Sequence, residues 1–191
     1  MAVTGNTNIS LVGFVNEWNG DYTGVSMPAV KKVLVISFSF HHMNTEKIAR
    51  AIANVFDAEL KMPQQVNPEE LEEYGLIGFG SGIDSQKHHR SLLDLVDGLP
   101  KVFDRNAFIF STSGMAQQST MINTKYDQHL TLRRKLRSKG YTVIGEYNCL
   151  GWNTNGFLKL FGGMNKGRPD DKDLRNAEEF ARGLRRNRGG Q

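Results

Sequence analysis

One cysteine in 191 residues, Cys149, leaves no intrachain disulfide to staple the fold. The expected setting is therefore a reducing one, with a packed core as the source of stability. Long apolar runs are also missing. Val33–Ser37 and Ala107–Phe110 are among the longest, far short of the roughly 20 residues needed to span a bilayer. The N-terminus lacks the basic start and apolar core of a secretory signal, so the expectation is a cytoplasmic protein with no membrane partner. The P-loop signature Gly-Lys-Ser/Thr before a helix is absent, which argues against NTP hydrolysis. The dinucleotide fingerprint is only half approached by Gly78-Phe-Gly-Ser-Gly-Ile83, where Ile83 stands in place of the third glycine, and this disfavours a Rossmann NAD domain. Thr4-Gly-Asn-Thr7 spells a phosphate loop by letters, but no strand precedes it and no helix follows. His41-His42 and His88-His89 are adjacent pairs whose side chains diverge, without the spacing of metal ligands, so no metal site is expected.

What is present suits one ordinary globular domain: 39% hydrophobic and 23% charged residues, 20 glycines and a net charge of +4. The pI of about 9.2 invites a nucleic-acid reading. However, eight basic and five acidic residues between Lys166 and Gln191 place +3 of the charge in the last segment. Much of the remaining basic charge lies on one expected helix with Arg133, Arg134, Lys135, Arg137 and Lys139, while Asp57–Glu73 is acidic. No aromatic or recognition-helix pattern accompanies these charges, so they read as solvated faces and no nucleic-acid partner is expected.

Residues 1–30 keep no helical or strand period and read as a flexible N-terminal extension, followed by a domain over 31–191 with a basic tail. Val33–Ser37 is a continuous β-branched run, the mark of a strand buried on both faces and hence of a parallel sheet. Similar runs at Ala58–Met62, Leu76–Gly80, Ala107–Ser111 and Thr142–Tyr147 give five expected strands. Between them, Ile48, Ile52 and Phe56 mark a helix starting near Asn44 with a polar cap. Leu92–Leu99 and Leu130–Leu136 mark two more, Pro68–Glu73 a shorter one, and Pro169 with Asp170, Asp171 and Asp173 opens a last helix. Such alternation implies an α/β, doubly wound parallel sheet, with ligands at the carboxyl ends of the strands where strand order reverses.

Three loops then come to one rim. Ser37–Thr45 leads from the first strand into a helix, whose N-terminus can hold an anion with Ser39, Asn44 and Thr45 as added donors and His41 or His42 as charge. A plain helix cap would explain Asn44 or Thr45 equally well. Gly80–Ser85 follows the third strand and Ser111–Gly114 the fourth; both are small and polar enough for close approach of a flat ligand. Cys149 reads as a buried small residue, and Met115 and Met121 as packing candidates.

With the buried strand, Asn44-Thr45-Glu46, Gly80-Ser-Gly82 and Ser111-Thr-Ser-Gly114 in this order, Lys31–Leu184 resembles the flavodoxin-like family. The resemblance implies a five-stranded sheet of order 2-1-3-4-5 and bound flavin mononucleotide, FMN. It implies that Ser39, His41, Asn44 and Thr45 hold the phosphate, and that Ser81, Gly82, Ile83 and Asp84, with Thr112, Ser113 and Gly114, border the ring and ribityl chain. A Gly82 carbonyl turned toward the flavin N5 and a loop at Asn148–Gly163 covering the ring belong to the same implication. The chain departs from the family in having His41, His42 and Met43 where a glycine usually precedes Asn-Thr. It also offers Asp84, Ser85 and Met115 where ring-stacking aromatics are common, with Trp152 as a substitute, and it is basic where electron carriers are usually acidic. The function so implied is electron transfer through a flavin, to a redox partner protein or a small-molecule acceptor. An NAD(P)H- or quinone-dependent reductase is an alternative within that class, and a binding or regulatory module without flavin is an alternative outside it.

Overall fold

The computed structural model describes residues 32–115 and 127–188; the N-terminal extension, Thr4–Thr7 and Met121 lie outside the described residues. Burial of alternating residues on both faces of a central strand fixes the architecture. In β1 (Lys32–Phe38), Val33 and Val35 enter one core, while Leu34 and Ile36 enter a second on the opposite face. Each fully buried aliphatic side chain contributes about 1.5–3 kcal/mol, so a one-residue slip would exchange the two cores' contents.

The elements follow as α1 (Asn44–Phe56), β2 (Glu59–Lys61), β3 (Tyr74–Asp84), β4 (Lys87–His88), α2 (Arg90–Gly98), β5 (Arg105–Ser113), α3 (Leu130–Ser138), β6 (Tyr141–Leu150) and α4 (Asp171–Arg188). Strands β2, β1, β3, β5 and β6 lie side by side in that order, all parallel. These five carry the expected 2-1-3-4-5 order, and helices on both faces complete a flavodoxin-like sheet. Ile48, Ile52, Ala177, Ala181 and Leu184 bring α1 and α4 to one face, whereas Leu92, Val96, Leu132 and Leu136 bring α2 and α3 to the other. On the first face Phe110 lies over Gly80 so closely that a Cβ there would stand 2.2 Å from its ring.

Three features differ from the sequence expectations. β3 does not end at Gly80 but runs to Asp84 and turns back as a hairpin, Ile83 and Asp84 pairing with His88 and Lys87. Ser85 and Gln86 make that turn with φ of 49° and 65°, a left-handed pair carrying no glycine to announce it. Pro68–Glu73 is a 3-10 helix, begun by Asn67, whose side chain accepts from the Glu69 N–H at 3.2 Å while Glu70 accepts from the Asn67 N–H at 3.1 Å. Met115 is 66% exposed and packs in no core, because it follows the last inward-facing residues of β5.

Candidate functional site

α1 begins without a side-chain cap from its preceding residue: Met43 lies in the left-handed region, φ 53°, and no side chain among the described residues bonds to the first-turn amides. Asn44 and Thr45 are instead buried and turned across the carboxyl edge of the sheet. Asn44 Nδ2 donates to the Trp152 carbonyl at 2.8 Å, and Thr45 Oγ1 meets Thr112 Oγ1 at 2.7 Å. The plain-cap reading of these two residues therefore fails. Their side chains tie α1 to β5 and to the segment after β6, while the helix's first amides remain free of intrahelical partners.

A cleft of about 70 Å³ opens between these groups, at the reversal of strand order beside β1. Ser39 and His41 line it from the first loop, Asn44 and Thr45 from the start of α1, Gly82 and Ile83 from β3, and Thr112, Ser113 and Gly114 from the end of β5 and the residue after it. Two of the expected residues stand elsewhere. Ser81 alternates to the α2/α3 face of β3, where its hydroxyl donates to the Gly82 carbonyl at 3.0 Å, accepts from the His89 N–H at 2.9 Å and meets His88 Nδ1 at 2.9 Å. Asp84 is exposed at the hairpin end and borders a separate groove along α2 with Lys87 and Arg90. The Gly82 carbonyl, expected to face the cleft, is thus engaged by Ser81.

The segment after β6 supplies lining that sequence reasoning named only in part: Gly151, Trp152, Asn153 and Asn155. Gly151 is required by the Asn44 side chain, since a Cβ there would lie 2.8 Å from Nδ2. Thr154 reaches back to the first loop: its Oγ1 lies 2.9 Å from His41 Nε2 and 2.8 Å from His42 Nε2, and its N–H donates to His41 Nε2 at 3.2 Å. His42 stacks on Trp152 with ring centres 3.9 Å apart. The signal for this contact was the polar run Asn153-Thr-Asn155 beside a tryptophan, but nothing in it pointed to the histidines. Desolvation, with the neighbouring His41 imidazole and the Lys47 charge, lowers the His42 pKa from its ordinary value.

Two polar atoms at the cleft are buried with no partner among the described residues: Ser39 Oγ and Asn44 Oδ1. Buried polar groups are nearly always satisfied, so these two mark where a ligand's own donors and acceptors would go. A phosphorylated polyol offers both, phosphate oxygens for the Ser39 hydroxyl and the α1 amides and a hydroxyl proton for Asn44 Oδ1. FMN, whose ribityl chain ends in a phosphate, fits this donor set at its phosphate end. Gly82 leaves the approach open, a Cβ there meeting only Thr45 Oγ1 at 3.7 Å.

Behind the cleft, on the α2/α3 face, Ser111 Oγ meets His129 Nε2 at 2.8 Å and His129 Nδ1 meets Glu146 Oε2 at 2.9 Å. Burial opposes the Glu146 charge, yet hydrogen bonds from Arg133 and His129 prevail and bring its pKa to about 2. Cys149 is buried, and desolvation pushes its thiol up to about 12, a value that keeps it protonated and inert at neutral pH.

No protein-family model matches the chain. An uncharacterized protein of Methanocaldococcus jannaschii, MJ0298, is 44% identical to it over 156 residues, which are 82% of this chain and 99% of that protein. Among solved structures, a flavodoxin from the domain Archaea superposes with a TM-score of 0.56 at 20% identity, over 82% of this chain and 97% of that one. Flavodoxin 2 from Bacillus cereus gives 0.57 at 16% identity, over 82% and 99%. A Streptococcus pneumonia flavodoxin gives 0.58 at 13% identity, over 81% and 99%. At these identities the likeness is one of fold.

Proposed function

The chain belongs to one family with the Methanocaldococcus jannaschii protein and has a flavodoxin-like fold, and from that premise we propose that it binds FMN and passes electrons through it to a partner protein. The observation that carries this reading is the unpartnered pair Ser39 Oγ and Asn44 Oδ1, set at the N-terminus of α1 in a cleft at the sheet's switch point. Bound FMN would supply a ring that accepts and releases electrons.

The chain's own residues hold and orient. Ser39 and the first amides of α1 take the phosphate, Asn44 takes a ribityl hydroxyl, and the Thr45–Thr112 pair keeps α1 docked on β5. Ser81 holds the Gly82 peptide from behind, which sets the polar group at the cleft's β3 wall.

A carrier is favoured over a reductase by the cleft's surroundings. Phe40, Met43 and Met115, neighbours in sequence of cleft-lining residues, are exposed, and such apolar side chains suit protein docking. Steady-state oxidation of NAD(P)H with a quinone acceptor separates the two: activity only when a reductase protein is added is the expected result, and unaided turnover would make the chain a reductase. Protein that is colourless when freshly purified and does not quench FMN fluorescence would leave a binding module without flavin.

A further inference from the structure

Charge is what the cleft lacks. A phosphate monoester carries close to two negative charges at neutral pH, and such sites commonly meet them with lysine or arginine. Among the described residues lining this cleft no lysine or arginine occurs, and His41 is the one titratable side chain. In the structure His41 is committed elsewhere. The Thr154 N–H points at His41 Nε2, so that nitrogen carries a lone pair and the ring is neutral. Thr154 has a single hydroxyl proton to share between two imidazole nitrogens. The arrangement that satisfies all three groups has His42 Nε2–H donating to Thr154 Oγ1 and the Thr154 hydroxyl donating to His41 Nε2.

This latch and an anion demand opposite states of one ring. A proton on His41 Nε2 removes the acceptor that both Thr154 donors use, and turns the nitrogen into a donor. An anion in the cleft favours that proton, because it is the nearest available countercharge. The charged groups about His41 are His42, whose ring lies 4.5 Å away edge to face, and Lys47, which acts on His42. Among the described residues, those that line the cleft from β3, from the end of β5 and from the segment after β6 include no titratable side chain.

We propose that His41 is the countercharge for a phosphate monoester in this cleft, and that binding takes up a proton from solvent at His41 Nε2 and frees the His41 ring from Thr154. The inference rests on the flavin reading for the identity of the ligand but not for the chemistry of the phosphate. Its signature is an affinity that falls as pH rises, since binding consumes a proton.

Calorimetry at about pH 7.5, where the free phosphate group is already a dianion, in two buffers of different ionisation enthalpy, counts that proton directly. FMN, riboflavin and inorganic phosphate are the probes. Expected are uptake of about one proton per bound FMN and a smaller uptake with inorganic phosphate. Riboflavin should show none, and His41→Gln should abolish the uptake. Thr154→Val removes the competing hydroxyl, so it should tighten FMN binding by about 3- to 10-fold, whereas a merely structural latch would make the same variant bind more weakly. FMN binding without proton exchange overturns the inference and leaves the flavin reading standing. Phosphate binding with proton uptake but no FMN binding does the reverse, and binding of neither overturns both.

Discussion

Ser81 and Ser111 stand opposite one another across β3 and β5, and each hydroxyl meets a buried imidazole, His88 and His129 respectively. The two rings lie 5.2 Å apart. Ser81 also donates to the Gly82 carbonyl, so it must accept from both His89 N–H and His88 Nδ1–H. That leaves His88 Nε2 as a buried lone pair, consistent with its lack of any partner among the described residues.

His88 should therefore make the protein acid-sensitive. Burial first, and the His129 ring second, hold its pKa well below the ordinary imidazole value. The unfolded chain then binds the proton more readily than the folded one, so stability is full above about pH 6.5 and falls as pH drops below it, by at most about 1.4 kcal/mol per pH unit for one proton. Thermal unfolding at neutral and mildly acid pH should show this slope, and His88→Phe should flatten it.

Glu146 acts lower on the pH scale. Its pKa of about 2 lies under the unfolded carboxyl value near 4.3, so its contribution is present above that value and is lost as pH falls toward about 2. Glu146→Gln should cost about 1–3 kcal/mol at neutral pH, because Arg133 and His129 lose a charged acceptor. The variant's urea midpoint should converge on that of the wild type in acid.

Gly151→Ala would place a methyl group 2.8 Å from Asn44 Nδ2 and push that side chain off the Trp152 carbonyl. FMN affinity should drop about tenfold, read from fluorescence quenching, with the circular dichroism spectrum retained.

Gly80→Ala strikes the core instead. The added carbon would lie 2.2 Å from the Phe110 ring, and overpacking of this kind costs about 1–3 kcal/mol or more. Urea unfolding should show the loss, and Phe110→Leu on the same background should recover part of it.

The central sheet was legible because Val33–Ser37 and Ala107–Ser111 are buried on both faces and therefore show unbroken apolar runs. The far end of β3 was not. Ser81, Gly82 and Asp84 are poor strand formers; Ser81 and Gly82 continue the parallel pairing with β5, only the last two residues, Ile83 and Asp84, are held by the short partner Lys87–His88, and the turn between them has no glycine. At the site, the first loop and the ends of β3 and β5 were named from their small polar residues. The direction of each side chain was hidden. Ser81 sits one pleat away from the cleft, and Asn44 finds its partner 108 residues along the chain. The His41–Thr154 contact spans 113 residues, and only tertiary structure creates it.

Fluorescence titration of FMN into the purified, flavin-stripped protein tests the proposed function most directly. The expected result is saturable, stoichiometric quenching that riboflavin reproduces only weakly, because it lacks the phosphate that Ser39 and the α1 amides would hold. Unquenched FMN across the titration, with the protein folded by circular dichroism, would contradict the flavin assignment.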